Sequence, residues 1–318
     1  MAKRSVRKGK SGSRSQPSGE RRSPWVRVNQ EITQGWELRR PLIESIERQL
    51  GGKALVYFTS FYSEAAMIHD KDAEMIENIL SNEHPGGRLL LILSSPGGIG
   101  LAAERIVHVC RAYSGGDFEV IVPHMAKSAA TLICFGASRI HMSPTAELGP
   151  VDPQVKYLSG ETGRPFPISA EEYVRSYEQL MSKATSGKAK RLEPIMQQLM
   201  RYDARYIEQL RSWQALAASI SVKLLKSGMM AKRSEAEIKR RIRAFLVQKQ
   251  MRSHGRMITV KEAKKCGLNI NTIALQSELW NWIWELYVRA DWVVSGRCSK
   301  IIESSSSSLS AAWVQDEN

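Results

Sequence analysis

Residues 89–154, LLLILSSPGGIGLAAERIVHVCRAYSGGDFEVIVPHMAKSAATLICFGASRIHMSPTAELGPVDPQ, restrict the fold more than any other stretch. Residues 89–93 form an apolar run without alternation, as expected for a strand covered on both faces of a parallel sheet. After a Ser-Ser-Pro-Gly-Gly turn, Leu101, Ile106, Val107 and Cys110 recur at helical spacing over residues 101–113. Residues 118–123 read as a second strand, 128–136 as a second helix and 139–142 as a third strand, before the turn-rich SPTAELGPVDP. Short loops between such elements demand right-handed crossovers and a parallel sheet, with reacting groups gathered at the carboxyl ends of its strands.

Both loops at that end suit acyl-transfer chemistry. The first offers the amides of Gly97 and Gly98, whose missing side chains permit close approach. The second sets Ser128 at a helix start, where N–H groups point outward and the dipole favours negative charge. A serine hydroxyl becomes a useful nucleophile only when a base takes its proton and donors hold the developing oxyanion. The expectation is that the loops face each other, with Ser128 as nucleophile and Gly97, Gly98 and Ala129 supplying the oxyanion hole. The competing assignment for Ser128 is an ordinary helix N-cap.

Elsewhere, a helix is expected near residues 39–50, a strand over 53–60 and a helix over 63–80, with His69 and Asp70 at a solvated helix start. Residues 168–250 read as strongly helical and charged, broken at 182–190 and without strand signals; this segment is expected to pack over the sheet or reach a neighbouring subunit. SHGRMITVKEAKKCGL at 253–268 reads as a turn, a helix boxed by Thr259 and Glu262, and a stop at Gly267. Trp280, Ile283, Trp284 and Tyr287 share one face of a Trp-rich amphipathic helix, whose acidic residues oppose binding to anionic lipid and favour packing on the domain or a second subunit. The Ser304–Ser308 run reads as part of a frayed tail.

The net charge of +14 invites a polyanionic partner, so its placement matters. Residues 1–22 carry eight Lys and Arg against Glu20, a net +7, so half of the excess sits in a tail. That tail, residues 1–24, is too poor in apolar groups to fold, and is expected to be a solvated arm or a weak non-specific nucleic-acid contact resting on charge alone. Cys110, Cys134, Cys266 and Cys298 lie far apart, without CxxC pairs, which argues against disulfides and structural zinc; no cofactor or metal is expected. No apolar run reaches the roughly 18 residues of a membrane span, and no apolar segment follows the basic start, so a cytoplasmic protein is expected.

In order and spacing, SSPGGIGLAAERIVHVC, PHMAKSAATLICFGASRI, ELGPVDPQV and the later SHGRMITVKEAKKCGL resemble the serine dehydrogenase proteinase family, relatives of Clp-type and signal-peptide peptidases. The resemblance is close over residues 50–160 and looser over 250–270. It implies an α/β, crotonase-like (ClpP/crotonase) fold, a spiral of βαβ units with an added helical segment. It also implies a homo-oligomeric serine peptidase acting on protein or peptide substrates, with Ser128 at the nucleophile position and Gly97, Gly98 and Ala129 at the oxyanion hole. The layout that follows is a disordered tail at 1–24, the peptidase domain at 25–275, the Trp-rich helix at 276–298 and a disordered tail at 299–318.

The family's Met-Ser-Gly-Gly core reads Lys127-Ser128-Ala129-Ala130 here, and the place of the Clp-type histidine holds Val151 and Asp152. Three candidates remain for the base: His254, at the position of the histidine in the family's Thr-His-Asp-Tyr segment, His124 and Lys156. A free histidine titrates near pH 6.5 and can act at neutral pH. Asp152 is assigned to orient the base, with capping of the Gly149-Pro150 turn as the alternative. Lys127 cannot easily serve its neighbour Ser128, because adjacent side chains diverge, and is expected to face solvent or contact a peptide backbone. The alternative function is an inactive peptidase-like oligomeric scaffold that binds a protein or nucleic-acid partner.

Overall fold

The structure, a computed structural model, describes residues 35–158, 163–187, 191–246 and 255–311. The basic tail at 1–24 and His254 lie outside these residues. The first half of the chain runs α1 (Arg40–Leu50), β1 (Lys53–Thr59), α2 (Asp70–Glu83), β2 (Leu89–Ser94), α3 (Gly100–Tyr113), β3 (Phe118–Val122), β4 (Met125–Ala126), α4 (Ala129–Gly136), β5 (Arg139–Met142) and β6 (Glu147–Leu148). A hairpin of β7 (Gln154–Leu158) and β8 (Pro165–Ser169) follows, then α5 (Ala170–Thr185), α6 (Glu193–Leu199), α7 (Ala204–Lys226), α8 (Glu235–Arg241) and α9 (Arg243–Leu246). The chain closes with β9 (Ile258–Thr259), α10 (Val260–Lys265), β10 (Ile270–Thr272), α11 (Glu278–Gly296), β11 (Lys300–Glu303) and β12 (Ser308–Ala311).

The main sheet has the order β10-β5-β3-β2-β1-β11-β12, with the first five strands parallel and the last two antiparallel additions. Leu91 pairs with Val120 and Val120 with Ile140, three buried residues in a row. Leu89, Leu91 and Leu93 point into a core shared with α2, α3 and α4, while Leu90 and Ile92 join α1 and α11 on the other face. Covering on both faces is why the leucine run does not alternate. Each such side chain contributes about 1.5–3 kcal/mol, so the central strands anchor the loops at their carboxyl ends.

Two expectations about the second half need correction. The segment over 299–318 is not a tail as far as residue 311: β11 pairs antiparallel with β1, and β12 with β11. Its serines close the turn, as the Ser304 hydroxyl accepts from the N–H groups of Ser306 at 3.2 Å and Ser307 at 3.0 Å, the Ser304 N–H donates to the Ser307 carbonyl at 2.8 Å, and the Ser304 and Ser306 hydroxyls meet Glu83. Glu303 takes two hydrogen bonds from Arg39, at 2.8 and 2.6 Å, which ties this edge to the start of α1. The boundary at 275 also falls, because α11 shares one core with α1 and the central strands, burying Trp280, Ile283, Leu286 and Tyr287. Trp284 stays 38 % exposed, stacked on Trp280 with ring centroids 5.7 Å apart.

The segment read as helical from residue 168 begins inside a strand, since β8 runs to Ser169 and the helix starts at Ala170. Proline at 165 and 167 hides that strand from a periodicity argument, yet an outer hairpin strand tolerates proline. One helix ends at Thr185 and the next begins at Glu193, and α7 packs on α3 and α4 over the sheet.

The tightest joint in this layer is α3 on α4, where a Cβ built on Gly136 would lie 2.4 Å from both Val107 methyl carbons. Gly136→Ala should lower unfolding free energy by about 1–3 kcal/mol in urea, and adding Val107→Ala should recover part of the loss.

Candidate active site

The loops after β2 and β3 are locked together by backbone. The Ser95 N–H donates to the Met125 carbonyl at 3.1 Å and the Lys127 N–H to the Ser95 carbonyl at 3.0 Å, a short parallel bridge. The Ser95 hydroxyl accepts from the Gly97 N–H at 3.1 Å and from the Thr59 hydroxyl at 2.9 Å. Gly97 has φ 109°, and a Cβ there would sit 2.7 Å from the Ser128 Cβ and 3.0 Å from the Ala129 nitrogen. Only glycine fits, and the two loops do face each other.

Ser128 stands at the head of α4 with φ 50° and ψ −116°, and its side chain makes no capping hydrogen bond. A capping serine has extended backbone and accepts an N–H from the first turn. Ser169, Asp203, Ser234, Thr259 and Ser277 do this in the same chain. Ser128 is therefore no N-cap in function, and its strained backbone, of order 1–3 kcal/mol, is held by its surroundings. The Ala129 N–H, in the first turn, has no intrahelical acceptor. Neither it nor the Gly98 N–H donates to a described residue.

Ser128 opens on a cleft of about 420 Å³ whose walls include Gly98, Ala129, Leu132, Val151 and Asp152. Asp152 is buried. The Thr131 hydroxyl ties the helix to the strand that leads to it, donating toward the carbonyls of Ala126 at 2.8 Å and Gly149 at 3.0 Å. The opposite wall is Trp213, Leu216, Ala217 and Ile220 of α7. Sequence reasoning missed that wall, although the spacing i, i+3, i+4, i+7 was there to be read as an apolar stripe.

Ser128, Gly98, Ala129 and Asp152 thus meet in one cleft, with Gly97 behind the serine. The base candidates do not join them among the described residues. His124 lies beyond β3, its Nδ1 2.8 Å from the Tyr287 hydroxyl and its ring 5.1 Å from that ring. Burial lowers its pKa, with Lys127 acting in the same direction and Glu147 and Asp291 opposing. Lys156 sits exposed on β7, and His254 falls outside the described residues. Lys127 does not face solvent: it is buried, paired with Glu147, with Nζ 3.5 Å from the Arg256 carbonyl oxygen. Gly149 makes that possible, because a Cβ there would lie 2.4 Å from the Lys127 Cδ. His69 caps α2 in a box with Asp72, as a solvated helix start should.

Two measurements follow. Ser128→Gly should raise stability by about 1 kcal/mol through relief of the positive φ, while Ser128→Ala should change it little; an N-cap would lose stability in both, about 1 kcal/mol for alanine. In an NMR titration His124 should gain its proton below the ordinary pH of about 6.5, because burial disfavours the cation.

Residues 66–163 match the family model described as ClpP-like SDH-type serine proteinase. The uncharacterized proteins MJ0137 and MJ1495 of Methanocaldococcus jannaschii are 48% and 42% identical to this chain over 65 residues. Those matches cover 20% of this chain and 22% of each relative, so the chain spans about a fifth of the length of the curated relatives it matches. A solved structure of a mutant 1510-N membrane-bound stomatin-specific protease is 13% identical, covering 65% of this chain and 75% of that one at a TM-score of 0.33. No helix among the described residues is long and apolar enough to cross a membrane. The parallel core with helices on both faces is the α/β, crotonase-like arrangement that the resemblance implied. Both loops, Ser128 and Asp152 fall inside residues 66–163, the stretch that matches the ClpP-like SDH-type serine proteinase model.

Proposed function

We propose that this protein is a serine peptidase that cleaves peptide bonds through an acyl-enzyme on Ser128. The observation that carries the proposal is the uncapped serine at φ 50°, beside two N–H groups with no described acceptor. The Ser128 Oγ attacks the scissile carbonyl while a base removes its proton. The carbonyl oxygen, now negative, takes hydrogen bonds from Gly98 and Ala129, with Gly97 leaving room for the approach. The base returns the proton to the leaving amine, and water then releases the acid by the same steps in reverse. Trp213, Leu216 and Ile220 suit an apolar side chain next to the scissile bond.

For the base we propose His254, with Asp152 orienting it. Two facts support this choice. His254 is two residues before Arg256, whose carbonyl meets Lys127, the neighbour of Ser128. The strand that follows, β9, pairs with β6 on the path to Asp152. A second reading, an inactive oligomeric scaffold binding a protein or nucleic-acid partner, draws on a different observation: Asp152 is the only ionisable side chain among the described residues lining the cleft.

A fluorophosphonate probe should label the wild type at Ser128 and leave Ser128→Ala unlabelled, with peptide hydrolysis falling about a thousandfold or more. His254→Gln should slow the labelling of Ser128 by about a hundredfold or more. A wild type that takes no probe would favour the scaffold.

A further inference from the structure

Among the described residues, the buried Lys300–Asp72 pair touches the backbone that leads to the proposed oxyanion hole. Lys300 is 1 % exposed and Asp72 0 % exposed, and their side chains form an ion pair at 2.8 Å. The Lys300 Nζ makes three contacts: Asp72 Oδ1 at 2.9 Å, Asp72 Oδ2 at 2.8 Å and the Met67 carbonyl at 2.6 Å. Asp72 is satisfied from its other side by the Tyr57 hydroxyl at 2.7 Å and the His69 N–H at 2.9 Å. Replacing such a pair by apolar side chains is often neutral or stabilising. Stability alone therefore does not account for a lysine here. What no apolar residue supplies is a donor for the Met67 carbonyl.

Met67 precedes Ile68, and Ile68 grips the glycine loop on both sides of Gly98. Its N–H donates to the Gly97 carbonyl at 2.9 Å, and its carbonyl accepts from the Ile99 N–H at 2.8 Å. The contact is close enough that a Cβ on Gly98 would lie 2.3 Å from the Ile68 nitrogen. A continuous set of contacts thus runs from Lys300 Nζ through the Met67 carbonyl and the Ile68 backbone to Gly98. Lys300 itself is fixed by the pairing of β11 with β1, opposite Thr59, whose hydroxyl bonds Ser95 in the same glycine loop.

We propose that Lys300 is a positioning residue that aims the Gly98 N–H at the substrate's carbonyl oxygen by holding the Met67–Ile68 backbone. The inference rests on the peptidase reading of Ser128. Its effect should appear in kcat, where the oxyanion forms, and not in KM.

The test compares two charge-neutral replacements of buried pairs. In Lys300→Met/Asp72→Asn, with folding verified by thermal melting, kcat for a peptide substrate should fall by about 10²–10³, KM should stay within about twofold, and the Gly98 amide resonance should move. Arg39→Met/Glu303→Gln removes the other buried pair of this edge, which does not touch Met67, and should leave kcat and the Gly98 resonance unchanged. Lys300→Gln/Asp72→Asn keeps an N–H donor at residue 300. It should retain about tenfold or more of the kcat lost by the methionine variant and hold the Gly98 resonance near its wild-type position. An unchanged kcat in the methionine variant, or an equal fall in the Arg39 control, overturns the proposal. If the wild type cleaves nothing, the peptidase reading fails separately, and the Gly98 resonance decides this inference: displaced with Lys300→Met and not in the control supports it, unmoved overturns it. If the methionine variant does not fold, a displaced Gly98 resonance in the glutamine variant overturns it.

Discussion

The arrangement depends on one close approach, the backbone of Gly97 against Ser128. A side chain at residue 97 would overlap the Ser128 Cβ, so two loops from different βα units can share one small volume only because the first presents bare backbone. The approach is made rigid by the bridge between Ser95 and Ala126, and that bridge is placed by parallel strands buried on both faces. With the loops held this way, Ser128 adopts a backbone that its own preferences disfavour. The core thus sets the geometry of these two loops as well as the stability of the fold.

Among the described residues, the ion pairs Lys300–Asp72 and Arg39–Glu303 are both buried, and both reach the last strands. Each pair joins a C-terminal strand to an element from the first quarter of the chain, so the antiparallel edge of the sheet is specified by ionic partners where its serine-rich turn offers little apolar area. The helix headed by Ser128 is braced differently, by the Thr131 hydroxyl between two carbonyls and by Lys127 folded onto Glu147.

How much could be read in advance follows the physics of each part. The strands at 89–94 and 118–122 and the two loops after them were legible because local signals agreed: an unbroken apolar run, glycines at a turn, a serine before a helical period. The facing of Gly97 and Ser128 followed from topology. The C-terminal strands were hidden because Lys300, Glu303 and five consecutive serines look like solvated chain until their partners, 221 to 268 residues away in sequence, are known. The burial of Lys127 was hidden for the same reason, since it needs Glu147 and the space left by Gly149. Trp213, Leu216, Ala217 and Ile220 did carry a periodic signal, but the charges of the helical segment masked it.

In the proposed mechanism Ser128 attacks a carbonyl whose oxygen is received by Gly98 and Ala129. A crystal structure of the protein after reaction with a fluorophosphonate tests this directly. Phosphorus should be bonded to the Ser128 Oγ, with one phosphonyl oxygen about 2.7–3.1 Å from both the Gly98 and the Ala129 nitrogens. An adduct on a different residue, or an oxygen at Ser128 turned away from those two amides, would contradict it.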